Sequence, residues 1–202
     1  MEPKRPQLSA DDLVRLQWLL GSVVAAVSAA TILFMEVQAW LLLGAVFTAA
    51  IAAVVWPRWP SRVPRWAHAL AFPVIAAAFA YDLYASREPL AALIRLDLLL
   101  VTYRLMTYRR RRDDLQLIVL GLFLIVVAGV LTVSLAFTVQ ILAFTACSLV
   151  FLFVITLTEV KLTAATTAAP SGAPGAPSWT RGSWSDLARR VRAALDWRVA
   201  AL

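Results

Sequence analysis

Apolar residues fill six stretches of this chain, 16–35, 39–56, 67–84, 90–108, 115–137 and 141–158, with polar or proline-rich breaks between them. Each stretch is 18 to 23 residues long. At about 1.5 Å rise per residue, such lengths match the roughly 30 Å of bilayer hydrocarbon. The clearest signal is 109–137. There four consecutive arginines (Arg109, Arg110, Arg111, Arg112) and two aspartates lead into Leu115–Phe137, a run without a charge. The pattern predicts an all-α fold: a polytopic membrane helix bundle of about six transmembrane helices, followed by a C-terminal basic amphipathic helix.

The breaks set the organisation. Residues 1–15 are polar and mixed in charge, and Ser9 followed by Asp11 and Asp12 reads as a helix cap with acids in the first turn. A cleaved signal peptide competes with an uncleaved first helix, because Ala26 to Ser28 has the small residues of a cleavage site. The apolar run continues past that point, which favours the uncleaved helix. Residues 57–66 hold three prolines and three arginines. With Trp56, Trp59 and Trp66 they read as a loop at the headgroup belt. Residues 85–89 form a short loop, and Phe137–Gln140 reads as a tight turn that makes a hairpin of the last two apolar runs. Gly121, Gly129 and Ser134 on one arm, with Ala143, Ala146 and Ser148 on the other, allow close backbone approach. Residues 163–183, rich in Ala, Thr, Pro, Gly and Ser, read as a flexible linker. In 184–202, Leu187, Val191, Leu195 and Val199 recur every four residues with arginines off that stripe, the signature of a basic amphipathic helix. The last residues turn apolar again, as if a further helix were beginning.

Residues 90–108 are ambiguous, because Arg95, Asp97 and Arg104 interrupt them. At 100° per residue, Asp97, Val101, Arg104 and Tyr108 share one face of a helix. A charge at mid-bilayer costs roughly 2.5–3.5 kcal/mol, so each must meet protein or reach an interface. Arg95 and Arg104 lie near opposite ends and can snorkel. Asp97 alone is deep enough to need a partner. Two readings follow: a spanning helix whose charges pair within the bundle, which is favoured, or a proton or ion relay.

The arginines decide the topology. With the first helix starting inside, the inner segments carry Lys4, Arg5 and Arg15, then Arg58, Arg62 and Arg65, then Arg109–Arg112, then Lys161, Arg181 and the tail arginines. The outer loops carry only Arg87. This asymmetry follows the positive-inside rule only if 90–108 crosses. Six crossings then leave both termini in the cytoplasm.

Composition agrees. The chain has 202 residues, 61% hydrophobic and 15% charged, with a mean hydropathy of +0.77. A soluble domain is nearer half apolar and a quarter charged. The net charge of +7 sits in clusters between apolar runs, which points to a bilayer with anionic headgroups rather than to nucleic acid. The single cysteine, Cys147, excludes an internal disulfide and cysteine-pair metal sites. The single histidine, His68, reads as an interfacial residue at a different depth from Cys147, so a Cys–His nucleophile pair is not expected. No phosphate loop or metalloprotease motif stands in the chain, and no cofactor is expected.

The order of parts resembles a known family. Arg104, the basic cluster ending in Arg112 and Asp113, Phe123 and Leu124 in the apolar helix, and Ser134 before the hairpin resemble the N-terminal membrane domain of bacterial TgpA-like transglutaminases. Trp18 and Trp40 also stand where that family tends to have tryptophan. The resemblance covers roughly 10–162, and Thr107 departs from it where the family usually has an acid. It implies a bacterial inner-membrane location, one more helix, and an extracytoplasmic domain with a Cys-His-Asp triad that acts as a protein-glutamine γ-glutamyltransferase. That domain is not among these residues. The expectation is a fragment, a truncated product, or a non-catalytic membrane domain that anchors or regulates a separately encoded or downstream transglutaminase domain. The alternatives are a small transporter or ion-coupled carrier using Asp97, Arg95 and Arg104, and a scaffold in an envelope complex. In the leading reading Arg109–Asp114 serve as a topology anchor at the headgroups.

Overall fold

The structure is a computed structural model. It describes residues 10–35, 39–55, 65–86, 88–107, 111–132, 134–168 and Arg189. The described residues form six α-helices: α1 (Ala10–Ala30), α2 (Trp40–Val55), α3 (Arg65–Ser86), α4 (Pro89–Met106), α5 (Arg111–Leu131) and α6 (Leu135–Ala168). A 3-10 turn, Thr31–Phe34, ends the first of them. No strand occurs among the described residues. The cap at Ser9, the break at 36–38, most of the 57–66 loop, Arg109 and Arg110, the linker from 169 onward and, save for Arg189, the tail helix lie outside the described residues.

Three helical segments, Asp12–Phe34, Asp113–Leu131 and Leu135–Val160, are long and apolar enough to cross a membrane. Trp40–Val55 and Leu70–Ala85 are apolar but shorter. Large apolar side chains stand outward on every helix, with Leu41 92% exposed and Phe72, Tyr84, Val130 and Leu135 nearly as bare. A water-facing surface does not carry apolar area on this scale. The fold and its apolar helices mark a membrane protein.

The chain divides into two compact units. One, Trp18–Phe151, holds most of the helices. Within it α4 is the hub, packing against α2, α3 and α5. Its buried face is Ala91, Ile94, Leu98, Val101 and Leu105, spaced by three and four as one side of a helix must be. The face that α2 buries is made of Leu43, Val46, Ala49, Ala50 and Ala53, and its three alanines let backbones come close where lipid offers no hydrophobic drive between helices. In α5 the buried stripe is Leu117, Gly121, Leu124 and Ala128, and in α6 Phe137, Phe144 and Phe151 recur every seven residues. The other unit is Met1–Gln17 with Leu152–Leu202. There Leu13, Val154 and Ile155 are buried, and the Thr158 hydroxyl donates to the Val154 carbonyl at 2.8 Å.

Two sequence expectations are corrected. Phe137–Gln140 is not a turn. α5 ends at Leu131 and α6 begins at Leu135, so those four residues lie in the first turns of α6. Ser134 caps the helix: its Oγ accepts from the Ala136 amide at 3.3 Å, and its carbonyl accepts from the Phe137 amide at 3.1 Å. The free Phe137 ring packs edge-on against Phe34, with centroids 6.3 Å apart. The second correction is that 163–168 belong to α6, not to the linker. The alanine-rich backbone is helical as far as Ala168.

Close approach in this unit centres on Gly121. A Cβ there would stand 2.8 Å from Phe144 Cε2 and 3.0 Å from Ser28 Cβ, so α5 meets both α6 and α1 at this glycine. Gly129 faces the Phe137 ring. Of the small residues expected on α6, Ser148 is buried whereas Ala143 and Ala146 are exposed and take no part.

Candidate functional site

α4 carries three ionisable residues, Arg95, Asp97 and Arg104, along its length. Pro89 opens this helix at a position where its missing amide costs nothing, and Arg104 sits in the last turn, where a cation suits the helix dipole. Three charges are thereby placed at three depths.

Near the start of α4, Arg95 Nη1 donates to Asp82 Oδ1 of α3 at 2.5 Å, with both side chains about a quarter exposed. At the other end, Arg104 Nη1 donates to Asp113 Oδ1 of α5 at 2.8 Å, and Nη2 donates to the Gln116 side-chain oxygen. Each ion pair spans one helical hairpin. Asp82 stands six residues before Glu88 and Arg95 six after Pro89; Arg104 stands four before Tyr108 and Asp113 four after Arg109. In an antiparallel hairpin, residues equally far from the turn lie side by side. This mirror spacing is the signal in the sequence that foretells both pairs.

Asp97 differs. Its residue is 4% exposed, and its Oδ2 has no hydrogen-bond partner among the described residues. The two arginines, able to snorkel, are paired. The aspartate that needed a partner has none at that oxygen.

The acids of α5 do more than mark its N-terminus. Asp113 holds Arg104, and Asp114 is fully buried. Arg111 and Arg112 form the first turn of α5 in backbone. Ser134 is a helix cap, as described. Two polar links that the sequence did not suggest tie α1 to the last hairpin: the Gln140 side-chain amide donates to the Val27 carbonyl, and the Thr132 hydroxyl donates to the Phe34 carbonyl at 3.2 Å. Cys147 is half-buried in α6. His68 lies in α3, its side chain outside the description. Among the described residues no group of three or more His, Cys, Asp or Glu side chains could hold a metal ion.

Beside the Arg104 cluster a groove of about 450 Å³ opens between α4 and α5, lined by Leu100, Arg104, Leu115, Gln116, Val119 and Leu120. Its walls are apolar except at the Arg104–Gln116 end.

No protein-family model, curated protein or solved structure matches the chain.

Proposed function

We propose that this chain is a non-catalytic integral membrane domain of the kind found in TgpA-like transglutaminases, and that it anchors or regulates an extracytoplasmic transglutaminase-like domain. The observation that carries the reading is the cross-bracing of α4. Both of its arginines are held in hairpin ion pairs, Arg95 to Asp82 and Arg104 to Asp113. Charges paired in this way offset the cost of each other's burial and brace the bundle. Arg104 and Asp113, two of the residues on which the resemblance turns, are each other's partners. In this reading all six helices cross a bacterial inner membrane in a multi-pass arrangement, with 57–66, 109–112 and both terminal segments on the cytoplasmic side. The arginine distribution supports that orientation.

The test is affinity purification of the full chain from its native membrane in mild detergent. The expected result is a stoichiometric companion with a thiol-dependent glutamine transamidase activity, abolished by iodoacetamide. Recovery of the chain without any such activity overturns the reading.

A second reading, an ion-coupled carrier, is favoured by one observation: Asp97 is buried with an unpartnered oxygen. Intramembrane acids in that state mark ion and proton pathways in many transport proteins. Proteoliposomes of the purified chain then show a cation or proton flux that Asp97→Asn abolishes while the protein stays folded. No flux in the native chain, with the Asn variant equally stable, removes this reading.

A further inference from the structure

We propose that the groove between α4 and α5 is a binding site for one anionic phospholipid, its phosphate on Arg104 and its acyl chain along Leu100, Val119 and Leu120. The order of polarity along the groove is that of an amphiphile. Arg104 and Gln116 lie where α4 ends and α5 begins, at the end of the helices where headgroups sit. Leu100 lies one turn deeper on α4, and Val119 and Leu120 one turn deeper on α5. From Gln116 to Leu120 the groove follows about 6 Å of helix. Its volume of about 450 Å³ falls in the range that holds small organic ligands. The walls face outward: Val119 is 63% exposed and Leu115 is also exposed. A lipid can therefore enter sideways from the bilayer without any helix moving.

The charge selects the headgroup. A guanidinium has five N–H donors, and Arg104 spends one on Asp113 and one on Gln116. Three remain without a partner among the described residues, in a plane suited to two phosphate oxygens. Asp113 offsets part of the charge, but between residues 104 and 114 the chain carries five arginines against two aspartates. That excess favours an anionic headgroup over a zwitterionic one. Gln116 fixes the guanidinium from the α5 side and so sets its plane toward the groove.

The inference rests on α4 and α5 being embedded in a bilayer and does not depend on an enzyme partner. The purified full chain in neutral detergent is titrated with dioleoyl phosphatidylglycerol, with dioleoyl phosphatidylcholine, and with glycerol 3-phosphate. Retained lipid is counted by native mass spectrometry, and the unfolding midpoint is followed. One phosphatidylglycerol per chain is the expected stoichiometry, held about tenfold or more tightly than phosphatidylcholine, with no effect of glycerol 3-phosphate. Val119→Trp places a large ring in the groove at an exposed position. It is expected to release the lipid while the chain keeps its helix content by circular dichroism. Arg104→Gln is expected to erase the preference between the two lipids; if that variant does not fold, Val119→Trp decides alone. Equal retention of the two lipids, retention by Val119→Trp, or equal stabilisation by glycerol 3-phosphate overturns the proposal. Failure to find a transamidase companion leaves these outcomes unaffected, so the two proposals fail separately.

Discussion

Asp82 and Arg95 show what a single pair does in apolar surroundings. A charge left without its partner there costs more than the pair contributes when intact, because desolvation has already been incurred. Arg95→Leu and Asp82→Leu are each expected to lower the unfolding midpoint in detergent, and the double variant is expected to be less damaged than the sum. The coupling should be about 1–3 kcal/mol. Simple additivity would mean the pair is a surface contact of little consequence. Asp97 follows the opposite logic: with an unpartnered buried oxygen, it is a residue the fold holds at a cost. The sequence made the depth of Asp97 legible, since its distance from both ends of 90–108 can be counted. It did not reveal the pairing of the arginines, although the mirror spacing about each turn was there to be read. Counting depth treats one helix at a time, whereas pairing is a property of two.

At the scale of elements, the six apolar runs and the six helices among the described residues coincide in number, and the run boundaries miss mainly where chemistry rather than hydropathy ends a helix. The break before α6 is the clear case. The residues from Val130 to Val139 are mostly apolar on both sides of the break, and no proline stands among them, so hydropathy offers no stop. Ser134 ends the ambiguity by capping, an interaction of one hydroxyl with one amide. The seven-residue recurrence of Phe137, Phe144 and Phe151 supports the same register, because it places all three rings on the buried face of one continuous helix. Gly121 tests the packing that results. Gly121→Leu pushes a side chain into Phe144 and Ser28, and overpacking of this kind costs about 3 kcal/mol. A drop in the unfolding midpoint with helix content retained is the expected outcome. An unchanged midpoint in that variant would mean that α1 and α6 do not meet α5 at this position. Ser134→Ala is milder, about 1 kcal/mol for a lost cap.

At the scale of the molecule, the question is whether α4 crosses the bilayer, since all of the topology depends on it. Its 18 residues reach about 27 Å, and the 16 residues of α2 about 24 Å, both short of the roughly 30 Å of hydrocarbon. Short spans are accommodated by local thinning and by snorkelling of flanking residues, at fractions of a kcal/mol per ångström. Arg95 and Arg104 are placed for that role, each within two turns of an end of α4 and each neutralised by an acid across its hairpin. The alternative, α4 lying along one face of the membrane, would leave Leu98, Val101 and Leu105 without a reason to be fully buried. Cysteine labelling separates the two. In a Cys147→Ser background, single cysteines at Ser61, Arg87, Arg110 and Ser134 are treated with a membrane-impermeant maleimide in intact cells and after permeabilisation. With α4 crossing, Arg87→Cys and Ser134→Cys react in intact cells, and Ser61→Cys and Arg110→Cys react only after permeabilisation. If α4 does not cross, Arg87→Cys and Arg110→Cys react from the same side. The positive-inside asymmetry then fails along with it, because the Arg109–Arg112 cluster would face the same side as Arg87 and opposite Arg58, Arg62 and Arg65.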